Sequence, residues 1–368
     1  VARSKKPVAG RFGDAAAAAA GRLVAGNRAR NRAVIFGCSG PELTKEERRF
    51  FAEICPTGFI LFARNCHEPG QIKRLVSDLR DVIDDPGAPV LIDQEGGRVQ
   101  RLGPPHWRAV PAAAAFGDLA RRDAQRAAEA VRLNARLIAA DLCELGINVD
   151  CAPVIDVPQA DADRIIGDRA FGGDPGIVAT LGLAACKGFL AGGVLPVIKH
   201  IPGHGRALAD SHATLPVVDA DETELERVDF APFRALNRMP WAMTAHVVYN
   251  ALDPDRPATT SPKVIERTIR GAIGFDGVLV SDDIGMKALR GPFDKRASAA
   301  MAAGCDLVLH CSGSLAEMKE VVAGVGAISE ATASRLARGA AMPGNDETWN
   351  REAALARVEE IMSGAATT

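Results

Sequence analysis

Val194-Leu-Pro-Val-Ile-Lys-His-Ile-Pro-Gly-His-Gly-Arg-Ala-Leu-Ala-Asp-Ser-His212 is the stretch from which both the fold and the chemistry of this chain can be read. Its first five residues form an apolar run of strand length. The run ends in Lys199 and His200, and a Pro-Gly-His-Gly turn and an Asp-x-His pair follow. Three histidines, a lysine and Asp210 therefore crowd one loop. Burying such groups costs on the order of several kcal/mol each unless every one is partnered, so their concentration behind a strand points to chemistry. Any one of these histidines alone reads more readily as a solvated loop residue. Four of the seven histidines in the chain lie between 200 and 246, however, and the cluster carries the argument.

Working outward, seven further runs resemble Leu195 to His200: Ala33 to Cys38, Gly58 to Phe62, Pro89 to Asp93, Asn148 to Val154, Trp241 to Val247, Gly277 to Asp282 and Asp306 to Cys311. Between them lie segments of helical length and pattern: Pro41 to Glu53, Pro69 to Ile83, Asp118 to Leu145, Pro175 to Gly192, Asp221 to Leu236, Pro262 to Gly271 and Pro292 to Ala303, with Ser314 to Ala323 after the last strand. Several open with Pro or Asp, as helix starts do. Eight such units with near-continuous apolar strands, covered on both faces, predict a single-domain α/β protein with a TIM-type (β/α)8 barrel over 33–327. A doubly wound open sheet is the alternative, but Gly37-Cys38-Ser39-Gly40 after the first strand lacks the spacing of a dinucleotide fingerprint. Residues 328–368 read as terminal helices packed on the barrel, and 1–32 as an Ala/Arg-rich lead.

The 368 residues suffice for such a barrel, and a 47% hydrophobic content is ample for its core. A formal charge of −2 with 5% aromatics gives no electrostatic ground for nucleic-acid binding. No run approaches the roughly 18 apolar residues of a membrane span. The eight cysteines fall singly, without a Cys-x-x-Cys pair, which predicts free thiols in a reducing compartment rather than disulfides or a zinc site. The expectation is a cytoplasmic monomer that needs no cofactor or metal. The longest apolar run of the lead, Ala15 to Ala20, is a weak signal core without an obvious cleavage site, and it leaves an exported form open.

In this architecture active sites lie at the C-terminal ends of strands. The polar residues follow that rule: Asp93, Asp156, Lys199 with His200, His246, and Ser281-Asp282-Asp283 stand at or just beyond such ends. The loops behind the third, fourth and fifth strands carry Arg98, Arg101, Arg164, Arg169, His204, Asp210 and His212 to the same face. A mouth of acids, arginines and imidazoles suits a small polyhydroxylated or anionic ligand.

Three chemistries fit. Glycoside hydrolysis needs a carboxylate, which Asp282 supplies, and a proton donor. No glutamate stands at a strand end, but the Asp210-Ser211-His212 triplet offers an imidazole whose pKa a carboxylate neighbour would raise. Metal-dependent hydrolysis would place zinc on His200, His246 and Asp282, although the first strand has no His-x-His pair and His200 and His204 share no helical face. Schiff-base chemistry at Lys199 would need a desolvated amine, which the neighbouring acids oppose.

The chain resembles glycoside hydrolase family 3, in particular its single-domain bacterial β-N-acetylglucosaminidases. The resemblance is carried by Gly58-Phe-Ile-Leu-Phe-Ala-Arg-Asn65, Ile92-Asp-Gln-Glu-Gly-Gly-Arg-Val-Gln-Arg101, Gly146-Ile-Asn-Val-Asp150, Gly167-Asp-Arg-Ala-Phe-Gly172, Lys199 to His212, Thr244-Ala-His-Val247 and Ser281-Asp-Asp-Ile-Gly-Met286. It covers roughly 33–312 and departs at Ile201, where Phe is common, and at Ile284-Gly285, where Leu-Ser is usual. It implies that Asp282 is the nucleophile, that His212 paired with Asp210 is the acid and base, and that Asp93, Arg101, Arg169, Lys199 and His200 grip the sugar. The implied reaction removes terminal β-linked N-acetylglucosamine from cell-wall muropeptides with retention, as in peptidoglycan recycling. A phosphorylase using the same site and a barrel that only binds muropeptides are the rival readings. Asp93 and Arg169 also read as structural groups, one paired with Arg101 and the other pinning its loop. His246 reads evenly as packing support or substrate contact.

Overall fold

The computed structural model describes residues 31–160, 162–163, 165–207, 214–344 and 349–364. The lead before residue 31, Arg164, and the Asp210 and His212 assigned to acid–base work lie outside the described residues.

Eight parallel strands close into a barrel: β1 Arg32–Gly37, β2 Pro56–Leu61, β3 Val90–Ile92, β4 Val149–Asp150, β5 Leu195–Ile201, β6 Trp241–Thr244, β7 Val278–Asp283 and β8 Leu307–His310. Each strand pairs with its sequence neighbours, and β8 returns to β1 with Val34 opposite Val308. All eight coincide with the apolar runs of the sequence. Purely parallel strands carry apolar side chains on both faces, so the signal is continuous and hard to miss.

Alternation along these strands builds two cores. Ile35, Leu91, Val197, Trp241, Val280 and Leu309 fill the barrel interior, while Val34, Phe36, Ile92, Ile198, Leu279 and Val308 pack outward against the helices. The two-residue period then dictates what stands on top of the interior column. Counting upward, Leu91 leads to Asp93, Leu195 and Val197 to Lys199, Val278 and Val280 to Asp282, and Leu309 to Cys311. The uppermost inward positions of three strands are thereby charged, and that of the fourth is a cysteine.

Besides ends that shift by a few residues, such as Thr244 in place of Val247 and Lys45 in place of Pro41, two elements differ from expectation. The helix expected over Asp118 to Leu145 is two helices, Ala113–Ala120 and Ala124–Glu144. Asp123 stops the first from running on, because its extended backbone and side-chain bond to the Arg126 N–H make it the N-cap of the second. Strand β4 is interrupted after Asp150, since Pro153 has no N–H to give a ladder. The chain nonetheless stays beside β5, with Val197 N–H donating to the Ala152 carbonyl at 3.1 Å and Ile155 N–H to the Lys199 carbonyl at 2.9 Å.

Helices Glu330–Ala340 and Arg351–Ser363 follow the barrel. Arg357 holds the second against helix Ala124–Glu144 with paired bonds to Glu129 of 2.8 and 3.0 Å. Among the described residues no helix is long and apolar enough to cross a membrane. All eight cysteines are free thiols.

Candidate active site

A cavity of about 270 Å³ opens at the C-terminal end of the barrel, floored by Asp93, Lys199, Met243, Asp282 and Cys311. These are the inward positions that cap the interior column. Arg98, Arg101 and Arg169 reach it from the loops after β3 and β4, and Val99, Ile165, Ile166 and Met286 supply apolar wall.

The floor is held by a ladder of alternating charge. Arg101 Nη2 lies 3.0 Å from Asp93 Oδ2, and Lys199 Nζ lies 2.9 Å from Asp93 Oδ1 and 2.7 Å from Glu95 Oε1. Arg169 closes the series with two bonds to Glu95. Burial pushes the Lys199 ammonium down, but Asp93 and Glu95 outweigh it and hold it well above the ordinary lysine range. Burial likewise pushes Asp93 up, and Lys199 and Arg101 together bring it well below the usual carboxylate range. Lys199 is thus a fixed cation rather than a free amine. The loop returning Arg101 to Asp93 is shaped by buried Gln94, whose Oε1 accepts the N–H groups of Arg101 and Leu102 at 2.9 and 3.0 Å.

A second anchor sits behind His200. Asp156 Oδ2 is 2.7 Å from His200 Nδ1, and its Oδ1 accepts the N–H groups of His200 at 3.1 Å and His204 at 2.7 Å. An ionised carboxylate only accepts, so the proton is assigned to Nδ1 of His200. Burial raises Asp156, yet His200 outweighs it and keeps the group below its ordinary value. The Lys199–His200 and Ile201–Pro202 peptide bonds are cis.

Asp282 stands at the end of β7 with its carboxylate opening into the cavity. Oδ1 accepts the Asp283 N–H at 2.8 Å. Burial pushes its pKa up, while the His246 and His200 imidazoles, that N–H and the Lys199 ammonium outweigh it, and the group lies below the ordinary carboxylate range. The neighbouring Asp283 also lines the cavity, but its Oδ1 is taken up by the Gly285 N–H at 2.8 Å and the Cys311 N–H at 3.2 Å.

The structure therefore brings Asp93, Arg101, Arg169, Lys199, His200 and Asp282 to one cavity. His204 lines it too, whereas His246 stands behind it with both ring nitrogens engaged by Thr259 and Asp283. That engagement leaves His246 no lone pair for the zinc site it was matched with. Among the described residues no group of three or more His, Cys, Asp or Glu is placed to hold a metal ion.

Glu95 was missed. The expectation that no glutamate stands at a strand end is corrected by its position three residues past β3, in the short strand Gln94–Gly96. The two-residue step from Asp93 was a usable signal. Its engagement by Lys199 and Arg169 makes it an organiser of cations, not a free acid.

A closed (β/α)8 barrel with an ionised carboxylate and a polar, charge-lined floor at its C-terminal mouth has a layout that suits a glycosidase. The chain belongs to glycoside hydrolase family 3: residues 33–338 match its family model, described as the Glycosyl hydrolase family 3 N terminal domain. A beta-hexosaminidase of Alkalilimnicola ehrlichii is 39% identical over 283 residues, covering 76% of this chain and 80% of that protein. The crystal structure of native NagZ from Neisseria gonorrhoeae superimposes with a TM-score of 0.81 at 33% identity, covering 90% of this chain and 98% of that one. The same gonococcal protein in complex with N-trifluoroacetyl-D-glucosamine matches equally, with a TM-score of 0.81, 33% identity and the same 90% and 98% coverage. On that kinship the chain is an enzyme of the β-N-acetylhexosaminidase class, of the NagZ type.

Proposed function

We propose that this enzyme removes terminal β-linked N-acetylglucosamine from peptidoglycan-derived muropeptides, with retention of configuration, through a covalent glycosyl-enzyme on Asp282. The observation that carries the proposal is the Asp282 carboxylate, ionised and held by the Asp283 N–H, at the floor of a cavity whose other groups suit sugar hydroxyls. A carboxylate that has lost its proton can attack the anomeric carbon as the glycosidic bond lengthens. His212, with Asp210, protonates the leaving oxygen and then takes a proton from the water that releases the sugar.

Asp93, Arg101, Lys199, His200 and Arg169 bind the terminal sugar in this scheme. Asp93 and His200 are suited to accept from hydroxyls, and the cations donate to them. The gonococcal relative's complex with an N-acylated glucosamine supports the choice of sugar. Eight free thiols support a reducing, cytoplasmic setting.

The test is hydrolysis of paired aryl β-N-acetylglucosaminide and aryl β-glucoside by wild type and Asp282→Ala, with a chelator present. Turnover of the first substrate alone, indifferent to chelation and reduced at least about 10³-fold in the variant, is expected. A variant that keeps its rate sinks the assignment of Asp282. Sugar 1-phosphate in place of free sugar in phosphate buffer would favour the phosphorylase.

A further inference from the structure

We propose that His246, with Thr244 and Thr259, is a positioning residue that brackets the backbone of the nucleophile. The inference rests on the reading of Asp282 as the nucleophile and adds the device that fixes it in place.

The geometry is a directed chain of hydrogen bonds. His246 Nε2 lies 3.0 Å from the Asp283 carbonyl oxygen, which can only accept, so Nε2 carries a proton. The ring is fully buried, and burial, opposed by the Asp282 and Asp283 charges, holds its pKa below the ordinary histidine value. A neutral ring with Nε2–H has a bare Nδ1. That atom is 2.7 Å from Thr259 Oγ1 and takes the threonine proton in preference to the Ala245 carbonyl oxygen 3.1 Å away, since otherwise two lone pairs would face each other across the shorter contact. With its single proton used, Thr259 accepts in turn from Thr244, whose Oγ1 is 2.7 Å away. Thr244 Oγ1 finally accepts the N–H of Asp282 at 3.4 Å.

The chain starts at the amide of Asp282 and ends at the carbonyl of Asp283. It thus spans the Asp282–Asp283 peptide unit, whose own N–H holds the Asp282 carboxylate at 2.8 Å. Thr244, His246 and Thr259 are all fully buried, and His246 is absent from the cavity wall, so none of this depends on substrate contact. Satisfied buried networks of this kind fix one geometry, and misplacing a reacting group by about 1 Å costs about 100-fold in rate.

Two variants separate the bonds. In His246→Gln the side-chain amide reaches the position of Nε2 and still donates to the Asp283 carbonyl. In His246→Asn the shorter amide can meet Thr259 but not Asp283. We expect His246→Asn to lower kcat about 100-fold with KM within threefold of wild type, and the rate of glycosyl-enzyme formation to fall with kcat. His246→Gln should keep kcat within about tenfold. Equal behaviour of the two variants, or a loss confined to KM, overturns the proposal. Nitrogen-15 spectra of the wild-type ring provide a measurement independent of variant folding: an Nε2–H tautomer that titrates below the ordinary histidine value is expected, and an Nδ1–H tautomer, or a ring that titrates at or above that value, overturns the proposal. An active Asp282→Ala marks failure of the nucleophile reading; an inactive one beside a normal His246→Asn marks failure of this inference alone.

Discussion

Arg169 grips Glu95 with two bonds, Nη2 to Oε1 at 2.8 Å and Nε to Oε2 at 2.9 Å, across 74 residues of sequence. The same Glu95 oxygen lies 2.7 Å from Lys199 Nζ. One carboxylate therefore orients two cations of the cavity from behind. Removing it in Glu95→Ala leaves two nearly buried cations short of a counter-charge, which costs about 3–5 kcal/mol of stability. The expected kinetic result is a fall in kcat/KM of at least about tenfold, since under the proposed function a misdirected cation would lose its hold on the sugar. Urea unfolding and steady-state kinetics on the one variant check both.

At the opposite end of the barrel a similar carboxylate has no bearing on chemistry. Asp306 Oδ1 accepts from Thr332 at 2.8 Å and Arg335 at 2.9 Å, and Oδ2 accepts from Arg270 at 2.8 Å and the Leu279 N–H at 2.9 Å. This buried network ties helix Glu330–Ala340 to the base of the barrel. Asp306→Asn is expected to lose about 2–4 kcal/mol of stability. Its kcat/KM at 20 °C should stay within about twofold of wild type, because the N-terminal face of a barrel serves stability. A large kinetic loss with unchanged melting would contradict this division of labour.

His204 imposes a pH dependence on stability. Burial, with the neighbouring His200, lowers its pKa to about 4, against about 6.5 in the unfolded chain. Between these values the unfolded chain binds a proton that the folded imidazole refuses, so stability falls as pH drops from 6.5 toward 4. The loss amounts to on the order of 3 kcal/mol. Asp229, at about 6, and Asp150, at about 8, are pushed up by burial and act in the opposite sense over an overlapping range. The informative quantity is therefore the difference between wild type and His204→Gln. In urea melts at pH 7 and 4.5 the wild type should lose more stability, or gain less, than the variant on acidification.

Gly205 permits a close approach that no side chain allows. A Cβ there would lie 2.1 Å from the Val157 carbonyl oxygen, whereas one at Gly40 meets nothing within 4 Å. Gly205→Ala must push the segment after β5 away from the loop after β4, and a loss of roughly 1–3 kcal/mol is expected. The variant should also lose activity, because that segment leads to the proposed acid and base. Gly40→Ala serves as the control, with melting temperature and rate near those of wild type.

The barrel was legible because its strands are covered on both faces and read as unbroken apolar runs. Asp93, Lys199 and Asp282 were legible for a related reason, since each ends such a run in phase with the interior. Long-range pairing was not. Nothing local in the sequence tells Arg169 to meet Glu95, because their approach depends on the strand order and on how two loops fold over the same mouth. The break between Ala120 and Ala124 was hidden by apolar periodicity on both sides of it, although Asp123 carries the capping signal. The Gly285 and Cys311 N–H groups that take up the Asp283 carboxylate were half hidden, since the second comes from beyond the neighbouring strand.

The central claim is that Asp282 forms a covalent bond to the sugar. The most direct measurement is mass spectrometry of the protein after brief exposure to a 5-fluoro N-acetylglucosaminyl fluoride, which slows release of the glycosyl-enzyme more than its formation. The account predicts a single sugar adduct on the peptide that carries Asp282, absent in Asp282→Ala. An adduct on any other residue, or full turnover of the reagent with inverted product and no adduct, would contradict it.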